Sequence, residues 1–187
     1  MRVEPIRSMK SINAIKKYLA DKPRDNLLFC IGINSGIRVC DLLRLRVNDV
    51  KDAKVGDTIT ITESKTGKVN TIYINKEIYK SIRNYLDTHL IKYDNEYLFK
   101  SRKGTNYPIT TYAVTMYVKK WAEAVGLTKE NYGAHTLRKT FCYIQRTKYG
   151  VAWETLSARL NHSSPSTTRA YLGVQKEEVT EILKHEI

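Results

Sequence analysis

The apolar positions of the chain repeat with two different periods, and the change of period marks its organisation. Between Ser8 and Ala20, the residues Met9, Ile12, Ile15 and Leu19 fall three or four apart. That spacing predicts an amphipathic helix with Ser8 or Ser11 as its cap. Pro23 suits the first turn of a second helix running to about Asn34. "NSGIR" breaks it at Gly36, and a further short helix follows over Val39–Leu45. The pattern then alternates. "DTITITES" and "KVNTIYI" read as strands, and "SKTGK" between them supplies the glycine of a tight hairpin. Asn75 caps a helix to about Thr88, and "EYLF" (96–99) predicts a short third strand. Thr110 opens a helix through Ala124 that closes at Gly126. Helices are also expected over Thr136–Tyr149, Trp153–Leu160, Ser166–Leu172 and Lys176–Lys184. Trp121 and Trp153 sit at apolar helical positions and read as core. The expected architecture is one mainly α domain over 1–187 with a single small antiparallel β-sheet.

Composition narrows the function classes. With 187 residues and 42% hydrophobic content, the chain is long enough and apolar enough to bury a core. Its longest apolar run, Leu27–Ile33, is too short to cross a bilayer. The N-terminus, MRVEPIRSMK, lacks an apolar export segment. Cys30, Cys40 and Cys142 are scattered without a CxxC spacing, which predicts reduced thiols and a cytoplasmic location. Charge is the first positive clue: 32 Lys and Arg against 19 Asp and Glu, a formal +13 at pH 7. The excess is spread along the chain. It points to nucleic acid or another polyanion as partner, rather than to a membrane.

Three stretches carry candidate chemistry. "SGIRVCDLLRL" places Arg38 after a glycine break at a helix start, with Asp41 three residues on. "GAHTLRKTF" places His135 and Arg138 three apart at another helix start. One helical turn sets positions i and i+3 on a common face, so each pair could enter one pocket. "NHSSPSTTRAY" adds His162 and, nine residues later, Tyr171. Lys65 lies in the hairpin between the first two stretches. Singly, each residue has an ordinary structural reading: a surface ion pair, a hydrogen-bonded histidine, a solvated lysine, a packed tyrosine. Their order and spacing together change the picture.

In that order the residues resemble the catalytic domain of the tyrosine recombinases, the phage integrase family. The resemblance covers essentially the whole chain. It matches an arginine at a G-hydrophobic-R helix start (Arg38), an acidic residue three on (Asp41) and a hairpin lysine (Lys65). The H-x-x-R pair (His135, Arg138), a second histidine (His162) and the nucleophilic tyrosine (Tyr171) complete it. Two positions depart from the family pattern. Asn161 stands where a glycine usually precedes the second histidine, and Pro165 where an aliphatic residue is commoner; neither removes a chemical group. Met1 lies almost at the start of the catalytic region, so the N-terminal core-binding domain that clamps the far side of the DNA is expected to be absent.

The resemblance implies a DNA strand transferase. Tyr171 would form a 3′-phosphotyrosine link, and a 5′ hydroxyl would later rejoin the strand without metal, ATP or other cofactor. Residue chemistry makes this feasible. Arg38 and Arg138 can grip the non-bridging phosphate oxygens with planar, permanently charged forks. His162 can add a hydrogen bond. Tyrosine, with a reference pKa near 10, needs about 4 kcal/mol to ionise at pH 7, a cost that a nearby base and a strongly cationic site can offset; the resemblance implies His135 as that base and Lys65 as the acid for the leaving oxygen. Asp41 and Glu63 stand apart in sequence and suggest no divalent metal site. Arg44, Arg46, Lys68, Arg102, Lys103, Lys139 and Arg146 flank the motifs as candidate phosphate contacts. The chain is expected to be a monomer alone and to meet other recombinase protomers on DNA. Two other classes fit the same residues: a non-catalytic DNA-binding relic of an integrase, and a type IB topoisomerase-like enzyme, for which supercoil relaxation without recombinant product would be diagnostic.

Overall fold

A computed structural model describes residues 3–89, 91, 93–173 and 183–184 of the chain. Eight helices and one hairpin appear among them: α1 (Met9–Tyr18), α2 (Pro23–Ser35), α3 (Val39–Leu42), β1 (Thr58–Thr62), β2 (Val69–Tyr73), α4 (Lys76–Thr88), α5 (Thr111–Ala124), α6 (Ala134–Thr147), α7 (Trp153–Arg159) and α8 (Pro165–Leu172). Local chemistry explains the starts. Ser8, Asn75, Thr110 and Ser164 each accept a hydrogen bond from a backbone N–H in the first turn of α1, α4, α5 and α8. Pro23 and Pro165 occupy the first turn of α2 and α8, where no intrahelical donor is lost.

Helix α2 is the axis of the molecule. Leu27, Leu28, Phe29, Cys30, Ile31 and Gly32 are all buried, because α4 and α6 pack on its sides. Leu137 of α6 lies so close to Gly32 that an added Cβ would come within 2.7 Å of its side chain. Trp121 of α5 meets Phe29 edge-on at 6.0 Å between ring centroids. A smaller apolar cluster, Cys142, Trp153, Leu156, Leu160 and Leu172, joins α6, α7 and α8. Both tryptophans are therefore core. All three cysteines are free thiols, with Cys40 exposed. No helix among the described residues is long and apolar enough to cross a membrane.

The mainly α class with one small antiparallel sheet is what the structure has, and the differences are local. The hairpin pairs Thr58 with Tyr73 and Thr62 with Val69, so its connection is six residues long rather than a tight turn. Glu63 and Lys68 close it by a backbone bond, and Gly67 takes φ +66. "EYLF" is not a third strand. Its backbone bonds Leu45 and Val47 through single bridges, while Leu98 and Phe99 fill the core. Its apolar content reflects burial, not extended pairing. Helix α3 stops at Leu42, short of Leu45, and a 3-10 turn over Val47–Asp49 follows. The helix expected over Lys176–Lys184 falls almost wholly outside the described residues.

Candidate active site

Three chain breaks place the candidate residues. The first is the end of α2. Gly36 adopts φ +65, and a Cβ there would lie 2.5 Å from the Phe141 ring, so only glycine fits. Two residues later Arg38 caps α3 in extended conformation, φ −66 and ψ 140. Its guanidinium donates to Glu63 Oε2 at 2.5 Å. Asp41, expected from the i, i+3 spacing to face the same pocket, makes its hydrogen bonds to the hairpin connection. Arg38 precedes the helix, so the helical angle between the two does not apply. Asp41 instead accepts from the backbone N–H and the hydroxyl of Ser64, at 2.9 and 2.5 Å, pinning the hairpin connection to α3.

The second break opens α6. His135 and Arg138 lie in its first turns, as the sequence predicts. Arg138 is only 2% exposed. It donates through Nη1 to the Gly36 carbonyl at 2.9 Å and through Nη2 to the Leu160 carbonyl at 2.5 Å. One side chain thus ties the loop before Arg38 to the loop before His162. A guanidinium has five N–H donors, so these bonds leave others for a phosphate.

The third break lies between α7 and α8. Asn161 takes φ +52 and is the one non-glycine residue with positive φ among those described. This accounts for the family's glycine at that position, and asparagine is the L-residue that tolerates it best. Asn161→Gly is therefore expected to leave stability unchanged or slightly higher. Asn161→Ala should cost about 1–2 kcal/mol in urea unfolding. His162 follows, its Nδ1 2.9 Å from Thr168 Oγ1 on α8. Its ring meets that of Tyr171 edge-on at 5.3 Å. Lys139 approaches the same tyrosine ring, Nζ to centroid 5.0 Å.

The electrostatics follow from this crowding of cations. Desolvation, then the charges of Arg138 and Arg38, lower His162 to about pKa 4. His135 is exposed yet partly desolvated. Desolvation and the charges of Arg138, Arg38, Lys139 and Lys65 place it below its ordinary 6.5. Both imidazoles are neutral at pH 7, as a proton acceptor must be. The expectation that cations would ease ionisation of Tyr171 meets a larger opposing effect. Arg138 and Arg38 do pull its pKa down, but burial outweighs them and raises it to about 12. Ionising it beforehand at pH 7 would then cost about 7 kcal/mol, so deprotonation has to accompany attack.

An acid-labile fold follows. Between pH 6.5 and 4 the unfolded chain binds a proton at His162 that the folded chain refuses, so stability falls as pH drops through that window. Urea midpoints should decline across it, and His162→Gln should flatten the decline. A midpoint independent of pH over this range would contradict the burial of a neutral imidazole.

Residues 6–178 match the phage integrase family. The chain belongs to that family. It is 44% identical over 178 residues to the probable integrase/recombinase YoeC of Bacillus subtilis (strain 168), covering 94% of this chain and 92% of that one. It is 31% identical to the tyrosine recombinase XerC of Caldanaerobacter subterraneus, covering 93% of this chain and 47% of that protein. The chain thus spans about half the length of the XerC relative. Among solved structures, XerA recombinase superposes with a TM-score of 0.76 at 20% identity, over 98% of this chain and 67% of that one. XerH recombinase, in a post-cleavage complex with a palindromic difH substrate, gives 0.76 at 22% identity, over 98% and 53%. The fold is the tyrosine recombinase catalytic fold, and the family's members are DNA strand-cleaving and rejoining enzymes.

Within that fold the remaining candidate residues separate. Lys65 is exposed in the hairpin connection, near enough for its charge to act on His135. Lys68, Arg102 and Lys103 are exposed and available to phosphate. Arg44 is exposed but donates to the Thr62 carbonyl at 3.1 Å. Arg46 stacks on Tyr97, 4.3 Å from its ring centroid. Arg146 is half-buried and lies over Trp153, 5.1 Å from its ring centroid. Lys139, at 3% exposure, is interior, with its ammonium against the Tyr171 ring.

Sequence reasoning passed over Glu63, Asn70 and Arg159. Glu63 is fully buried in the hairpin. Desolvation pushes its pKa up, but hydrogen bonds from Thr66, Asn70 and Arg38 bring it down to about 2. Arg159 donates to the Ser35 and Thr71 carbonyls, at 3.0 and 2.7 Å, and to Asn70 Oδ1. A glutamate at the end of a strand beside threonines and lysines reads as solvated, and nothing local marks it otherwise.

Proposed function

We propose that this integrase cleaves and rejoins double-stranded DNA through Tyr171, as the catalytic part of a site-specific recombinase. The observation that carries the reading is Arg138. Its two backbone bonds join the Arg38 loop to the loop before His162, which supports a shared phosphate position for residues distant in sequence. Arg38 and Arg138 grip the non-bridging oxygens, and His162 adds a donor. The Tyr171 oxygen attacks phosphorus as its proton passes to His135. The bond from phosphorus to the 5′ oxygen breaks, and Lys65 protonates that oxygen. A 3′-phosphotyrosine link and a free 5′ hydroxyl result, and the reverse attack by a 5′ hydroxyl reseals a strand. The energy of the broken linkage is kept in the new one, so rejoining needs no ATP. Three side-chain cations neutralise the phosphate in this scheme.

The protein acts on DNA in the cytoplasm, as a monomer that meets further protomers on the duplex. The exposed Lys68, Arg102 and Lys103, on a chain of formal charge +13, make that binding weaken as salt rises. The test is incubation with a nicked suicide duplex, drawn from a pool of randomised sequence, in excess EDTA. A protein–DNA adduct that survives denaturation is expected. An adduct that forms only on adding magnesium would overturn the metal-free scheme.

A further inference from the structure

The hairpin that carries Lys65 is fastened at its base by one carboxylate. Glu63 is the first residue of the connection, and it is fully enclosed. Its Oε2 accepts from Arg38 Nη1 at 2.5 Å and from Thr66 Oγ1 at 2.7 Å. Its Oε1 accepts from Asn70 Nδ2 at 2.9 Å. Thr66 is the residue directly after Lys65. Asn70, on β2, is held in turn by Arg159 at the end of α7, and Arg159 is anchored on the Ser35 carbonyl at the end of α2. Arg38 is itself mostly buried, with 14% of its side chain exposed. The same carboxylate oxygen therefore touches the residue that grips the phosphate and the turn that presents the proton donor.

Burying a carboxylate costs several kcal/mol unless its lone pairs are filled, and here three donors fill them. A hydrophobic residue would serve packing at least as well, so stability alone does not call for an ion pair at this place. A shared acceptor does something packing cannot. It sets the azimuth of the Arg38 fork and ties it to the position of the Lys65 turn. It also offsets positive charge at the site before DNA arrives, since Arg38 and Arg138 are close enough to repel one another.

We propose that Glu63 is a positioning residue that holds Arg38 and the Lys65 turn in one frame, so that phosphate grip and leaving-group protonation are set together. The inference rests on the strand-cleavage reading above, and the experiment separates the two. The substrate is a nicked duplex recovered from the randomised pool by covalent capture with the unaltered protein. If the unaltered protein captures none, the cleavage reading itself fails and the inference with it. Given capture, Glu63→Gln should bind that duplex normally and cleave it slower by a factor on the order of 10², the loss typical of catalytic groups displaced by about 1 Å.

Two altered substrates then report the cause. One carries sulfur in place of the bridging 5′ oxygen, a leaving group that needs no proton. The other carries a methylphosphonate at the scissile position, which has no anionic oxygen for Arg38 to neutralise. Each should recover part of the Glu63→Gln loss, relative to the unaltered protein on the same substrate. Equal loss on all three substrates would reveal a merely structural role. Recovery on only one would show that the two groups are not held together, and either result overturns the proposal, as does normal cleavage by Glu63→Gln. Should that variant not fold, Glu63→Asp keeps the charge but shortens the reach, and the same pattern of recovery is required of it.

Discussion

Tyr171→Phe is expected to abolish covalent capture of DNA while leaving binding intact. The variant removes one oxygen, and that oxygen is enclosed by protein in the unbound chain. The ring keeps its contacts with His162 at 5.3 Å and with Lys139 at 5.0 Å, so the site around it persists. The phosphate contacts proposed for Arg38 and the exposed lysines are untouched, so a binding titration should superpose on that of the unaltered protein. The competing nucleophiles are Tyr143 and Tyr149, near and beyond the far end of α6. At about 1.5 Å of rise per residue, Tyr149 lies roughly 20 Å along the axis from His135. Tyr143 packs under Arg7, whose guanidinium is 5.1 Å from its ring centroid. An adduct that persists in Tyr171→Phe, or that maps by mass spectrometry to either of the other two, would overturn the assignment.

The second large effect belongs to Lys65. Its side chain is exposed, so Lys65→Ala should leave the unfolding midpoint within experimental scatter. Cleavage should nonetheless slow by about 10²–10⁴, the usual contribution of a positioned general acid. The loss should shrink on a duplex whose scissile 5′ oxygen is replaced by sulfur, since a thiolate departs without protonation. His135→Ala offers the contrast: it removes the proposed base, not the acid, and should stay slow on both substrates. If Lys65→Ala is slowed equally on the two, its charge serves binding and another group protonates the leaving oxygen.

Much of this was legible before any coordinates. The helical spacing around Ile12 and Ile15, the capping residues Ser8, Asn75 and Thr110, and the alternation of "TITIT" depend only on neighbours within a few positions, and the fold keeps them. Gly36 marks a chain break for an equally local reason of backbone conformation. Because the candidate catalytic residues sit at or near such breaks, their order along the chain could be recognised. "EYLF" failed as a strand because a short apolar run records burial and not its partner.

What only the tertiary structure decided is which polar groups meet. Arg38 and Glu63 are 25 residues apart, Asn70 and Arg159 are 89, and Arg138 and Gly36 are 102. Periodicity reports the apolar face of each element, but it carries no information on which faces come together or how deeply a side chain then lies. Burial and partners, in turn, set the charge state of a group. That is why Tyr171 and His162 are read from the sequence as reactive types, whereas their shifts to about 12 and about 4 arise only where α6, α7 and α8 close on one another.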